Sequence, residues 1–142
     1  MASKKSIACI ALENGKVLIA HRLPVGQMGD RWEFPGGKVE ASESEETAII
    51  REMQEEFGIT VTVGEHIASA SFVHNDDEVS LECFRIFVPH DGLGKERYIL
   101  TEHSEYRWAL VDEIPSLFFV DSDMKLYEHV KKYVERECLK NA

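Results

Sequence analysis

The stretch from Gly36 to Ile59, GGKVEASESEETAIIREMQEEFGI, constrains this chain more than any other. Two adjacent glycines read as a turn, a helical pattern follows, and Gly58 supplies a left-handed stop after Phe57. Ser42, with Glu45 three residues later, reads as a capping box, so the helix is expected to start near Ser42. Ile49, Ile50, Met53 and Phe57 make an apolar stripe that would bury against a sheet. Glu52, Glu55 and Glu56 occupy positions i, i+3 and i+4, which share one helix face within an arc of about 100°. Three like charges there repel one another unless a cation neutralises them. Hard oxygen ligands on a short helix suit Mg²⁺, or Mn²⁺ as a substitute, with water and substrate phosphates completing the coordination. Ala48, one turn before Glu52, would leave space above the carboxylates, although alanine is also the best helix former. The plain alternative is a solvated face carrying i,i+4 pairs such as Arg51 with Glu55. It requires the glycine pair, Arg51, the glutamates and the glycine stop to coincide by chance. No calcium-loop spacing occurs.

Around this helix the pattern alternates between extended and turn segments. Ser6 to Leu12 and Val17 to Leu23 are apolar runs joined by Glu13-Asn14-Gly15-Lys16, a strong hairpin signal. Pro24 to Arg31 reads as a surface loop, and Trp32 to Phe34 resumes extended structure. Ile59 to Val63, Glu65 to Val73, Val79 to Val88 and Tyr106 to Val111 read as further strands, with Pro89 to Arg97 a flexible connection. A last helix is expected from Asp121 or Ser122 to about Cys138. Strands on either side of a central helix, closed by a terminal helix, make a mixed sheet covered on both faces, an α/β fold.

The spacing Gly37, five residues, Glu43, seven residues, then Arg51-Glu52-Met53-Gln54-Glu55-Glu56-Phe57-Gly58-Ile59 resembles the Nudix box, G-x5-E-x7-REU-x-EE-x-GU; Met53 departs mildly from the usual aliphatic. The preceding Trp32-Glu33-Phe34-Pro35-Gly36-Gly37-Lys38-Val39-Glu40 resembles the MutT-like branch, which hydrolyses nucleoside triphosphates. The resemblance covers the whole chain in length and order of elements. It implies an α/β/α sandwich with a central mixed β-sheet, and a Mg²⁺-dependent pyrophosphohydrolase that clears the nucleotide pool. Oxidised guanine nucleotides such as 8-oxo-dGTP, or pyrimidine triphosphates such as CTP and dCTP, are the implied substrates. ADP-ribose and dinucleoside polyphosphates are the alternatives within the enzyme class, and a nucleotide-sensing module without turnover is the alternative outside it.

Hydrolysing a phosphoanhydride needs an electrophilic phosphorus, a nucleophilic water and charge neutralisation on the leaving pyrophosphate, all of which metal ions can supply. Glu52, Glu55 and Glu56 are the expected ligands, and the resemblance adds the backbone carbonyl of Gly37. Which carboxylate accepts the proton of the attacking water stays open. Arg51 is expected to orient a ligand carboxylate, and Glu43 to hold the loop against the helix. Arg22 and Lys38 are candidates to contact phosphate; for Lys38 a solvated surface role is the equal alternative, and for Arg22 the resemblance favours phosphate. Many relatives carry a further acid near Glu102-His103-Ser104-Glu105. The choice between Glu102 and Glu105 stays open, and Glu105 joins the candidate catalytic set, while His103 reads as a loop hydrogen-bond partner. Asp121 matches the position where MutT-like enzymes place a base-reading Asn or Asp, against the plainer role of a helix cap. Phe34, Phe72, Phe118 and Phe119 could stack on a base, with a core role the alternative for each; Phe34 joins the candidate substrate-binding set.

At 142 residues, residues 1–142 are expected to form one domain with a core of its own. Cys9, Cys83 and Cys138 are an odd, scattered set that points to a reducing compartment and to neither a disulfide framework nor a zinc ribbon. The opening MASKKSIACIAL alternates like a strand rather than a signal sequence, so a cytoplasmic protein is expected. A net charge of −10 removes the usual electrostatic drive for binding a nucleic acid polymer. No apolar run approaches the about 18 residues of a membrane span. A nucleotide is therefore the expected partner, and the protein itself is expected to be a monomer or homodimer.

Overall fold

The computed structural model describes residues 4–89 and 98–140, so most of the connection expected at Pro89 to Arg97 lies outside the described residues. β1 (Lys4–Glu13) and β2 (Lys16–Arg22) form the hairpin expected from Asn14-Gly15, whose φ angles of 51° and 77° are the left-handed pair that such a two-residue turn requires. β1 then pairs in parallel with β6 (Asp77–Phe87), from Lys4 opposite Val79 to Ala11 opposite Ile86. β5 (Thr62–His74) runs antiparallel to β6, and the two extended segments expected there are one strand with register shifts near His66. β3 (Trp32–Glu33) and β7 (His103–Leu110) both pair with β2.

β4 (Gly36–Lys38) corrects the sequence reading. The glycine pair is not a turn: it is a strand antiparallel to Ser6–Ala8 of β1. Its glycines serve close approach instead. A Cβ on Gly36 would sit 1.9 Å from the Ile7 carbonyl oxygen, so only glycine admits this pairing. β1 thus divides its length between β4 near its start and β2 near its end, and the first pairing sets Gly37 beside the Glu52 carboxylate.

Side chains of β1 alternate between two cores because successive residues of a strand point to opposite faces. Ala8 and Ile10 join Val17, Ile19, Phe34, Leu81 and Cys83 on one face. Ile7, Cys9 and Ala11 join Leu18, Ala20 and Ile86 on the other. The second face is covered by α1 (Glu45–Phe57) through Ala48, Ile49, Met53 and Phe57. The first is covered by α3 (Tyr127–Lys140) through Tyr127, Val130 and Val134. The result is the α/β/α sandwich around a mixed sheet.

Three helix details differ from expectation. Ser44, not Ser42, caps α1, its hydroxyl accepting the Thr47 N–H at 3.1 Å; Ser42 is left-handed at φ 70°, two residues before the cap. Ile50 is exposed, because it stands one position off the buried stripe, and Ala48 is packed in the core rather than opening space above the carboxylates. The terminal helix is two pieces, α2 (Asp121–Met124) and α3, separated at Lys125-Leu126. Asp123, Leu126, Tyr127 and Val130 are all buried, an i, i+3, i+4, i+7 set that keeps one inward face on both sides of the break. Among the described residues no helix is long and apolar enough to cross a membrane.

Candidate active site

Glu52 lies directly against Gly37. A Cβ there would come within 2.5 Å of the Glu52 carboxyl carbon, so the glycine keeps a space that any other residue would fill. Arg51 anchors the arrangement from outside. Its Nε and Nη2 donate to the two oxygens of Glu43 at 2.7 and 2.9 Å, a bidentate fork. Nη2 also donates to the Lys38 carbonyl at 2.9 Å and Nη1 to Glu52 at 2.8 Å, tying β4 to α1. Arg51 holds the Glu43 carboxyl down at about 2, and Glu43 in turn raises Arg51. Glu43 also accepts the Glu40 N–H at 2.9 Å, which closes the loop leading into the helix.

Behind Glu52 sits Glu56, 1% exposed. Glu52, Glu56 and Glu102 bring one oxygen each within 4.8 Å of one another. Burial, then repulsion from Glu52 and Glu33, pushes Glu56 well above the ordinary carboxylate range; burial raises Glu52 as well, against the pull of Arg51. Glu56 Oε2 is buried with no hydrogen-bond partner among the described residues. A set of oxygen donors with an orphaned buried oxygen fits a hard divalent cation, which would neutralise the charges that here oppose one another.

A second line of groups reaches Glu56 from the strands. Arg22 Nη1 donates to Glu33 Oε1 at 3.0 Å, and Glu33 Oε2 lies 2.8 Å from His103 Nε2. The same nitrogen is 3.7 Å from Glu56 Oε1. On the opposite face of the sheet, the Asp123 carboxylate accepts the backbone N–H of Phe34 at 2.9 Å. Burial, then the Glu33 charge, pushes Asp123 up to about 7. Phe72 and Met124 pack half-buried against the same cluster as Phe34.

The residues expected from sequence therefore divide. Glu52, Glu56, Gly37, Arg51 and Glu43 converge. Glu55 is on the outer side, 52% exposed and 3.3 Å from Arg51, at the rim of an open depression of about 450 Å³ that also borders Thr47, Ile50 and Gln54. Of the two glutamates left open, Glu102 joins Glu52 and Glu56, whereas Glu105 is exposed on β7 opposite His21. Lys38 is exposed beside Gly37. Phe34 and Phe119 are core residues in edge-to-face contact at 5.1 Å, and Phe118 is exposed beneath the Arg31 guanidinium at 4.4 Å. Asp121 turns outward, 78% exposed, to pair with Arg31 at 3.1 Å, and its side chain caps nothing. Glu33, buried His103 and Asp123 are site neighbours that the sequence reading passed over or set second. Glu33 stood inside the quoted approach segment; nothing local marked the burial of the other two.

The family model described as NUDIX domain matches residues 3–130. Among curated proteins, the CTP pyrophosphohydrolase of Escherichia coli (strain K12) is 33% identical over 122 residues, 86% of this chain and 87% of that protein. The 8-oxo-dGTP diphosphatase of the same organism is 44% identical over 55 residues, 39% of this chain and 43% of that protein. Among solved structures, the solution structure of the E. coli ORF135 protein superposes with a TM-score of 0.77 at 31% identity, covering 92% of this chain and 89% of that one. A MutT protein from Methanosarcina mazei Go1 gives 0.76 at 26% identity, covering 95% and 94%.

Proposed function

The chain belongs to the Nudix family and is a MutT-like hydrolase, and from that premise we propose that it cuts a nucleoside triphosphate to the monophosphate and pyrophosphate with Mg²⁺ as its cation. The observation that carries this reading is the cluster of Glu52, Glu56 and Glu102, with Glu52 packed against Gly37 and one Glu56 oxygen left orphaned. Those carboxylates, with the Gly37 carbonyl, hold the cation, and Glu55 adds charge from the exposed side. When bound, the ion neutralises phosphate charge and lowers the pKa of an attacking water. Arg51, braced by Glu43, fixes the Glu52 carboxylate in place. Arg22, whose Nε is buried without a partner among the described residues, and Lys38 draw the phosphate chain.

CTP and dCTP are the first substrates to expect and 8-oxo-dGTP the second. Support comes from the relative named for CTP, which aligns over 86% of this chain, against 39% for the E. coli diphosphatase. Base recognition falls to Asp123, the buried carboxylate beside Phe34, while Asp121 holds Arg31 over Phe118 at the rim. A panel of CTP, dCTP, 8-oxo-dGTP, ADP-ribose and a dinucleoside polyphosphate, with products separated by chromatography, tests the assignment. Pyrophosphate and CMP formed with Mg²⁺, and no turnover after chelation, are the expected results. Orthophosphate as first product refutes the cleavage position, and ADP-ribose as the best substrate refutes the substrate class.

A further inference from the structure

His103 occupies a place that neither the Nudix spacing nor the carboxylate cluster accounts for. Its side chain is buried at the start of β7, with its ring stacked on Phe57 of α1 at 5.8 Å and 18° between planes. Glu33 Oε2, an acceptor, lies 2.8 Å from Nε2, so Nε2 donates there, and Nδ1 is buried with no partner among the described residues. The Nε2–H stands between two carboxylates: Glu33, which accepts it at 2.8 Å, and Glu56, 3.7 Å away. Beyond Glu33 the line continues to Arg22.

We propose that His103 is a positioning residue that fixes the Glu56 carboxylate for the cation and links it, through Glu33, to the phosphate-facing Arg22. The inference rests on the metal-dependent reading above and extends it. Glu56 has several rotatable bonds, and the groups facing it include the carboxylates of Glu33 and Glu102, which repel it, and of Glu52, whose charge also repels it although the two share a hydrogen bond. Among the described residues the one basic side chain within 4 Å of its oxygens is His103, at 3.7 Å. An imidazole held flat against Phe57 cannot turn away, so its N–H sets the separation of Glu33 from Glu56 and keeps the Glu56 oxygens directed at Glu52 and Glu102. Hydrogen-bonded partners that orient ligating carboxylates act on metal affinity as well as on rate. An apolar side chain at 103 would leave two buried carboxylates facing each other with no donor between them.

The test compares His103→Leu, which keeps bulk and loses the donor, with His103→Gln, whose amide N–H can reach where Nε2 stood, and His103→Asn, whose amide is too short to do so. Mn²⁺ binding to the substrate-free protein is read by paramagnetic resonance, and kcat and KM are read with CTP. Leu and Asn should weaken Mn²⁺ binding by about tenfold to a hundredfold, and lower kcat while KM stays near wild type. Gln should restore both. If Leu proves unfolded, the Asn and Gln pair carries the comparison alone. Wild-type Mn²⁺ affinity in the Asn variant, or a Gln variant no better than Asn, overturns the proposal. The binding arm is independent of substrate choice, so failure to cleave CTP refutes the proposed substrate without touching the role of His103.

Discussion

At the scale of single residues, the three glutamates of α1 are chemically alike and structurally unequal. Glu56 is 1% exposed and faces other carboxylates, whereas Glu55 is 52% exposed and leans on Arg51. Glu56→Gln is therefore expected to lower kcat by about two orders of magnitude or more and to weaken Mn²⁺ binding, with Glu55→Gln the milder change in both. Steady-state kinetics on a triphosphate substrate, beside Mn²⁺ titration, checks the order; a Glu55 variant worse than the Glu56 variant would reassign the principal ligand. Asp123 and Asp121 form a second unequal pair. Asp123→Asn preserves the acceptor for the Phe34 N–H and adds a donor, so it should shift the ratio of kcat/KM between CTP and 8-oxo-dGTP by about tenfold, or roughly 1.4 kcal/mol. Asp121→Asn, which alters only an exposed contact to Arg31, should leave that ratio unchanged. The same two substrates and both variants decide it: a shift with Asp121 and none with Asp123 would move base recognition to the rim.

At the scale of elements, what was legible in the sequence is what local geometry alone determines. Asn14-Gly15 reads as a hairpin because few other dipeptides accept two left-handed residues, and Gly58 reads as a stop because it sits in that same region at φ 70°. The helix face carrying Glu52 and Glu56 follows from the 3.6-residue period. What escaped depends on distant partners. Ser42 looked like the cap from its spacing to Glu45, and only the loop held by Glu43 and Arg51 brings Ser44 to that place instead. Gly36-Gly37 looked like a turn because its reason, the closeness of Ile7 and Glu52, comes from other elements. The choice of Glu102 over Glu105 follows from where β7 begins against β2, with an irregularity at His21/Arg22 that no local pattern announces. The cap assignment is testable: Ser44→Ala should cost about 1 kcal/mol in unfolding free energy, and Ser42→Gly, at a left-handed position, should cost nothing. Urea denaturation of both variants gives the answer, and a larger loss at Ser42 would restore the capping box read from sequence.

At the scale of the whole molecule, stability against pH sums groups that act in opposite directions. Glu43, held at about 2 by Arg51, and Asp77, lowered by Lys4, contribute stability at neutral pH that is lost as acid protonates them. Asp123 opposes them. Its carboxyl moves from an ordinary 3.8 up to about 7 on folding, chiefly through burial, so between those values the folded chain holds a proton that the unfolded chain has released. Where the folded state binds more protons, stability falls as pH rises, and the loss is complete above about 7. Asp123→Asn removes this one contribution and leaves the others in place. The melting temperature of the variant minus that of the wild type should therefore increase between pH 5 and pH 8, the variant gaining as the wild-type carboxyl is forced to ionise inside the core. The comparison is made as a difference because the remaining acids, in a chain of net charge −10, titrate alike in both proteins and cancel. A difference that stays flat across that range would mean that Asp123 ionises freely in the folded protein. The carboxylate would then be in contact with water, and the enclosed environment on which its proposed base-reading role rests would not exist.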